Sequence, residues 1–474
     1  MQEELKLSAA SPLSDDVFDV VVIGAGVVGC AMARRFTLEG AHVAMVEKAS
    51  DILDGASKAN SAILHTGFDA PPGSVELGCI RAGYAEYEAI RHDLGLVLER
   101  NGAHVVAWTE DEMDRLATIA AQAHDNGIDD VHIIGARDLS AVEPNLGPRA
   151  LGAVVVPKES IIDPWSAPHV YLLQAMENGA KTFFNCAVTG GSFEGDVWAL
   201  ETSRGQLRGR VVINCAGLYG DQVDQAVLGE STFHITPRKG QFVVFDKAAS
   251  ALISSVILPV PSERTKGVVL FRTVFGNLVV GPTAEDQSSR CDARTDEASL
   301  RALIADAVTK LPRLADMPVT ATYAGLRPAT EFKDYQIMPR ADRNWITVGG
   351  IRSTGLSAAL GIAHHVHGLY EGMGSRHQPI SDPIVPRANS LSQSEPRDWN
   401  CDDHGEIVCH CELVTRREID AALSGKLPPH SLGALKRQTR VTMGRCQGFY
   451  CSARLAELTQ GRLEPDLCLG NRHD

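Results

Sequence analysis

Apolar positions in this chain follow more than one rhythm. From Val17 to Ile23 the run is apolar apart from Asp19 and rich in β-branched residues, as a strand buried on both faces of a parallel sheet requires. Gly24-Ala25-Gly26-Val27-Val28-Gly29 follows at once. An Ala/Met/Arg-rich helical stretch then runs to Leu38, a turn falls at Gly40, a second strand spans His42 to Val46, and Glu47 closes the unit. Similar α/β text returns at Val211 to Gly217, a strand running into glycine, and at Trp345 to Ile362. The latter starts as a strand, passes Gly349-Gly350 and becomes a small-residue helix after Gly355. Between these stretches lie alternating strand candidates such as Gln241 to Phe245 and Val268 to Phe271, which suit an antiparallel sheet.

The pattern predicts an α/β fold, with a Rossmann-like nucleotide-binding layer built from about 17–85, 150–232 and 325–380. An interleaved antiparallel-sheet substrate layer is expected from about 86–150 and 233–325. From 381 to 405 the periodicity fades into a proline- and serine-bearing text that reads as a linker. Residues 406–474 are expected to form a small helical domain. There Thr415 with Glu418 makes a capping-box signature, and Ser431 is placed to cap a second helix.

Composition adds exclusions. The chain has 474 residues, enough for two or three domains, and is 44% hydrophobic and 22% charged, values usual for a globular protein. A net charge of −14 offers no basic footprint for nucleic acid. No stretch approaches the roughly 18 unbroken apolar residues of a membrane span. Met1 to Asp16 is polar and lacks the basic start and apolar middle of a signal peptide. A cytoplasmic location is expected, with peripheral attachment to the inner face of the cell membrane through a partner left open.

In a reducing compartment, clustered cysteines point to metal rather than disulfides. Six of the 11 cysteines lie in the last 74 residues. Four of them, Cys409, Cys411, Cys446 and Cys451, are spaced C-x-C, 34 residues, C-x4-C. Zinc ribbons use C-x2–4-C pairs, which this spacing fits poorly, whereas four thiolates suit a [2Fe–2S] cluster. Residues 412–460 carry eight Lys/Arg against four Asp/Glu, an excess that offsets a tetrathiolate's negative charge. Cys451 opens a helical stretch, which predicts a lowered thiol pKa there. Zinc or an empty module are the alternatives.

The three glycines of the first turn have separate tasks. Gly24 permits the tight turn, Gly26 lets backbone approach a pyrophosphate, and Gly29 lets helix and strand pack closely. Glu47 is placed to accept hydrogen bonds from a ribose diol and argues against a 2′-phosphate. This motif alone does not separate FAD from NAD. The text from Asp54 to Asp69, DGASKANSAILHTGFD, does so by resemblance, together with VVINCAGLYGD (211–221), TPRKGQF (236–242), YAGLRPAT (323–330) and GGIRSTGLSAALGIA (349–363). These pieces resemble the FAD-dependent glycerol-3-phosphate dehydrogenase group of the D-amino-acid-oxidase-like superfamily. The four-cysteine unit resembles the small domain of bacterioferritin-associated ferredoxin. The fusion of the two resembles the large subunit of anaerobic glycerol-3-phosphate dehydrogenases.

The resemblance implies FAD and a [2Fe–2S] cluster as cofactors. It implies that Ser57, Asn60 and Ser61 contact the FAD pyrophosphate or flavin edge, and that Ala216 and Gly217 lie near the adenosine half. Gly350, Gly355 and Leu356 would approach the isoalloxazine. His65 matches the histidine set beside the flavin in related enzymes, and imidazole chemistry suits a general base near neutral pH. Arg327 is the implied clamp for an anionic substrate, its planar fork suiting phosphate or carboxylate alike. Arg352 is a candidate second contact, although relatives do not uniformly carry arginine there, and Lys239 is a weaker candidate. The implied reaction is oxidation of sn-glycerol 3-phosphate to dihydroxyacetone phosphate, with electrons passed to a partner subunit or carrier toward quinone. Alternatives are a related dehydrogenase of a 2-hydroxy acid such as L-2-hydroxyglutarate, or of an imino or amino acid, and a non-catalytic electron-transfer subunit.

Overall fold

The computed structural model describes residues 12–261 and 267–467. The reading of Met1 to Ser11, Cys468 and the end of the 406–474 segment fall outside them. The apolar first strand, Pro12–Ile23, lies at the centre of an eight-stranded sheet. It pairs in parallel with Val43–Val46 on one side and Gly205–Asn214 on the other. Lys181–Phe183 and Trp345–Gly349 extend the parallel array outward. Valines 20, 21 and 22 are wholly buried, which explains why this strand shows no alternation.

Helix Val27–Leu38 covers one face of this sheet beside helices Val75–Leu94, Ser166–Glu177 and Gly355–Gly372. Helices 75–94 and 355–372 touch backbone to backbone. A Cβ on Gly361 would collide with the Cys79 carbonyl, and one on Gly83 with the Ser357 carbonyl. Only hydrogen at these two positions allows the approach.

The second layer is a nine-stranded sheet. It is antiparallel except where Val256–Pro259 runs parallel to Ala103–Ala107. Two expected boundaries shift. Strand Gly152–Val156 pairs with Ala103–Ala107 in this second sheet, so the return to the nucleotide layer comes after 156 rather than near 150. Strand Val319–Ala329 pairs along Thr236–Phe245, so the last return lies near 330 rather than 325. Short apolar strands look alike in whichever sheet they join, so sequence pattern does not fix which sheet holds them.

The 381–405 segment lacks strands and α-helices, but it is a strap and not a loose tether. The Ile384 and Ala388 amides donate to Asn178 Oδ1 and the Leu94 carbonyl, and the Gln393 amide donates to the Val274 carbonyl. Leu391 and Ser392 are buried. At its far end Arg397 donates to the Glu412 carbonyl and to Glu418.

The C-terminal unit is a small hairpin, Ile407–Cys409 with Val414–Thr415, and three short helices. The capping box is formed: Thr415 Oγ1 accepts from the Glu418 amide at 3.1 Å, and Glu418 Oε2 accepts from the Thr415 amide at 2.8 Å. Ser431 Oγ accepts from the Ala434 amide.

Gly361→Ala should therefore cost about 1–3 kcal/mol by overpacking. Thermal denaturation of the FAD-loaded protein would show a lowered Tm, whereas Gly368→Ala, with open space around its Cβ, should not.

Candidate active site

The glycine turn is as tight as its sequence requires. Gly24 has φ +99°, and a Cβ there would lie 2.7 Å from the Cys215 carbonyl. A Cβ on Gly29 would strike the Gly24 carbonyl itself. Glu47 Oε2 accepts from the Ala25 amide at 2.7 Å, and Oε1 accepts from the Ala49 amide at 2.9 Å. Burial raises the Glu47 carboxyl above the usual carboxylate range, against the pull of these two amides. Ser57 Oγ accepts from the Val27 amide at 3.1 Å, which brings the 54–69 loop to the N-terminus of helix 27–38. A Cβ on Gly217 would meet open space, and one on Gly26 only Ser57 Oγ, so the cradle has room along its length. These features fit a dinucleotide whose pyrophosphate faces the helix N-terminus.

The 54–69 loop is pinned at several points. Asn60 Oδ1 accepts from the Ala62 amide, and Ala62 takes a left-handed φ of +57°. Tyr323 donates to the Asn60 carbonyl, and Gly325 abuts Ala59, so strand 319–329 lies directly against the loop. Next comes the short strand Ile63–Leu64, paired antiparallel with Ser160–Ile162. That register brings Glu159 opposite His65. His65 Nδ1 lies 2.8 Å from Glu159 Oε2, and the Thr66 amide and hydroxyl both donate to Oε1. The Glu159 carboxylate accepts Nδ1–H, which assigns the acceptor lone pair to Nε2. The His65 amide donates to Ser357 Oγ at 2.8 Å in the first turn of helix 355–372. Neither Glu159 nor Ser357 stands out in the sequence; the strand register alone identifies the first.

The basic candidates separate. Arg327 lies on the strand face that also carries Gly325 and Tyr323, toward the 54–69 loop. Its guanidinium donates to the Thr283 carbonyl at 2.6 Å. Burial and the neighbouring Arg238 pull its pKa down to about 10, so it remains charged at neutral pH. Register pairs Arg238 with Arg327 and Lys239 with Leu326. Lys239 thus points to the opposite face, toward Glu285 and Asp296, and the residue beside Arg327 is Arg238, held by Asp286. Arg352 donates to the Lys333 carbonyl and lies 3.7 Å from Glu76, at the start of helix 75–94. Its geometry ties it to that helix and gives the expected second anion contact no support. Gly350 takes a φ of +69°, Gly355 begins helix 355–372 where an added Cβ would lie 3.9 Å from Val27, and Leu356 packs into the same core.

In the C-terminal unit the four cysteine thiols lie near enough to influence one another: Cys446 and Cys409 act on Cys411, and Cys409 and Cys446 act on Cys451. Among the described residues, no three His, Cys, Asp or Glu side chains gather as a single metal ion requires. Four thiolates are the ligand set of a [2Fe–2S] cluster. The expected thiol activation is found at the other end of the C-x4-C loop. The amides of Tyr450, Gly448 and Phe449 lower the Cys446 pKa. Cys451, although it caps helix Ser452–Thr459, is pushed up to about 12 by burial and by Cys409. Burial outweighs the dipole of a helix only eight residues long.

This unit sits against both layers. The His430 amide donates to Asp51 Oδ1, Arg437 to the Ile52 carbonyl, and Arg445 to Asp246. The Arg440 guanidinium lies 4.0 Å from the Phe275 ring centre. Phe275 stacks on Trp165 at 5.4 Å, and Trp165 donates to the Lys58 carbonyl in the 54–69 loop.

Fold and site together define a flavin-dependent oxidoreductase with an appended iron–sulfur domain. Residues 19–369 match the FAD dependent oxidoreductase family, and the chain belongs to it. Residues 407–460 match the BFD-like [2Fe-2S] binding domain. FAD and a [2Fe–2S] cluster are accordingly its cofactors. The chain is 32% identical to a glycerol 3-phosphate dehydrogenase of Caloramator mitchellensis over 450 residues, covering 93% of this chain and 94% of that one. It is 25% identical to a subunit of the anaerobic glycerol-3-phosphate dehydrogenase of Escherichia coli K12, covering 93% and 88%. The fold matches that of L-alpha-glycerophosphate oxidase from Mycoplasma pneumoniae with FAD bound, at a TM-score of 0.74 and 23% identity, over 79% of this chain and 100% of that one. Among the described residues, no helix is long and apolar enough to cross a membrane.

Cys446→Ser should abolish the visible iron–sulfur absorption while leaving the flavin spectrum intact, a result that absorption and iron analysis of the purified variant would check.

Proposed function

We propose that the protein oxidises sn-glycerol 3-phosphate to dihydroxyacetone phosphate. The observation that carries this reading is the His65–Glu159 pair, held on the same loop that brings Ser57 to the dinucleotide turn. Bound FAD supplies the hydride acceptor, and the bound cluster supplies a one-electron outlet. His65 takes the hydroxyl proton at Nε2 as the C–H bond is broken. Glu159, buried and fixed by Thr66, holds the imidazole in that tautomer and stabilises it once protonated. Arg327 binds the anionic end of the substrate with its guanidinium fork. The names of the relatives favour phosphate over carboxylate as that anion, since Arg327 itself suits both. Cys409, Cys411, Cys446 and Cys451 are the proposed cluster ligands. The likeness to one subunit of a dehydrogenase supports onward transfer to a partner subunit or carrier toward quinone.

An anaerobic titration with sn-glycerol 3-phosphate, following flavin and cluster absorption together, tests the reading. Flavin bleaching supports it; an unchanged spectrum in a sample that dithionite still reduces excludes this substrate. Arg327→Ala should raise KM at least about tenfold with FAD content unchanged. Glu159→Gln should lower kcat by about 10–100-fold with little change in KM, by weakening general-base catalysis. Steady-state kinetics on the FAD-loaded variants would separate the two roles.

A further inference from the structure

Three neighbouring strands carry one row of charges across the face that holds Arg327. In register, Arg327 stands opposite Arg238 on strand Thr236–Phe245, and Arg238 stands opposite Asp286 on the short strand Glu285–Asp286. Directly opposed residues of antiparallel strands share a face, so the order across it is Asp286, Arg238, Arg327. Arg238 donates from Nε and Nη2 to Asp286 Oδ1 and Oδ2, at 2.6 and 3.1 Å. The adjacent residues alternate to the far face, where Lys239 meets Glu285 and Asp296. Each face thus balances its own charges, and the row with Arg327 is left with one positive charge in excess.

The three charges act on one another. A Cβ on Gly240 would lie 2.6 Å from Arg327 Nη2, so this guanidinium lies against the strand that carries Arg238. Burial and then Arg238 lower the Arg327 pKa, and Asp286 opposes them. Asp286 is itself lowered by its hydrogen bonds to Arg238, by the charge of Arg238 and, less strongly, by Arg327. The side chains of Arg238 and Asp286 are 38% and 52% exposed, and a pair so exposed adds little to the stability of a fold. Its charges bear instead on any anion that approaches Arg327. Without Asp286 the row would present two guanidiniums, the arrangement that grips a phosphate dianion. With Asp286 in place, the fork of Arg238 is already filled by a carboxylate.

We propose that Asp286 is a specificity-determining residue: by holding Arg238 it limits the anion site to one uncompensated cation. The site then takes the anionic end of a substrate through Arg327 alone. It does not trap inorganic phosphate, which brings two charges but no alcohol to be oxidised. The inference rests on the reading of Arg327 as the anion clamp, and it holds whichever phosphorylated alcohol is the substrate.

The test titrates the oxidised, FAD-loaded full chain with inorganic phosphate, without turnover, by phosphorus NMR line width. Ionic strength is fixed, at about pH 8, where phosphate is a dianion. Asp286→Asn should bind phosphate about three- to tenfold more tightly than the unaltered protein, and Arg238→Gln about three- to tenfold more weakly. The double variant Arg238→Gln, Asp286→Asn restores the charge of the row and should return to within about twofold of the unaltered protein. Asp286→Ser, which removes the same charge, should repeat the Asp286→Asn result. Acetate, with one charge, should change less across the series. FAD content and Tm report whether each variant is folded. Arg327→Ala separates this inference from the reading beneath it. If it leaves phosphate binding unchanged, the clamp assignment and the inference fall together. If it weakens binding while the Asp286 and Arg238 variants match the unaltered protein, the clamp stands and the inference falls. Tightening by Asp286→Asn that persists in full in the double variant would also overturn it.

Discussion

The closeness with which helix 27–38 meets strand 12–23 governs the rest of the molecule. Gly29 stands against the Gly24 carbonyl, and Gly24 stands against Cys215, with no room for a side chain at either point. Glu47 takes the Ala25 amide in the middle of the turn and so ties the second strand to it. Ser57 takes the Val27 amide and ties on the loop that carries His65. Three separate segments of the chain are thus gauged from one turn. A side chain at Gly29 would move the cofactor cradle, the His65 loop and the third parallel strand together.

Local sequence rules revealed whatever depends on near neighbours. The glycine turn, Glu47, the Thr415–Glu418 box and the cysteine spacing each announce themselves within a few residues or by a characteristic gap. Glu159 does not, because its role exists only through pairing with a strand some hundred positions away in the chain. The same holds for Arg238 and Lys239. They are adjacent in sequence and chemically alike, and only their register against 319–329 decides which one faces Arg327. The proline-rich text at 381–405 reads as a linker because its hydrogen bonds go to other segments, so it shows no periodicity of its own.

The two layers meet in a division of labour between backbone and side chain. The parallel layer contributes amides at the ends of strands and helices, groups present in almost any sequence, and so its demands fall on where glycine must be. The mixed layer contributes the guanidinium, and the short strand pair at 63–64 and 160–162 contributes the histidine and its carboxylate. The chemistry of a substrate can therefore change with few substitutions on one sheet while the cofactor cradle stays untouched.

Glu412 fixes the appended domain to the oxidoreductase by charge. It is almost wholly buried beside Cys411, and its charge is met by Arg440 at 2.9 Å from its own domain and by Lys247 at 3.2 Å from the oxidoreductase. A buried carboxylate tolerates the loss of a counter-charge poorly. Parting the two units would leave Glu412 with Arg440 as its one remaining counter-charge and strip Lys247 of its carboxylate. The join is therefore held by a shared buried charge as well as by the peptide chain.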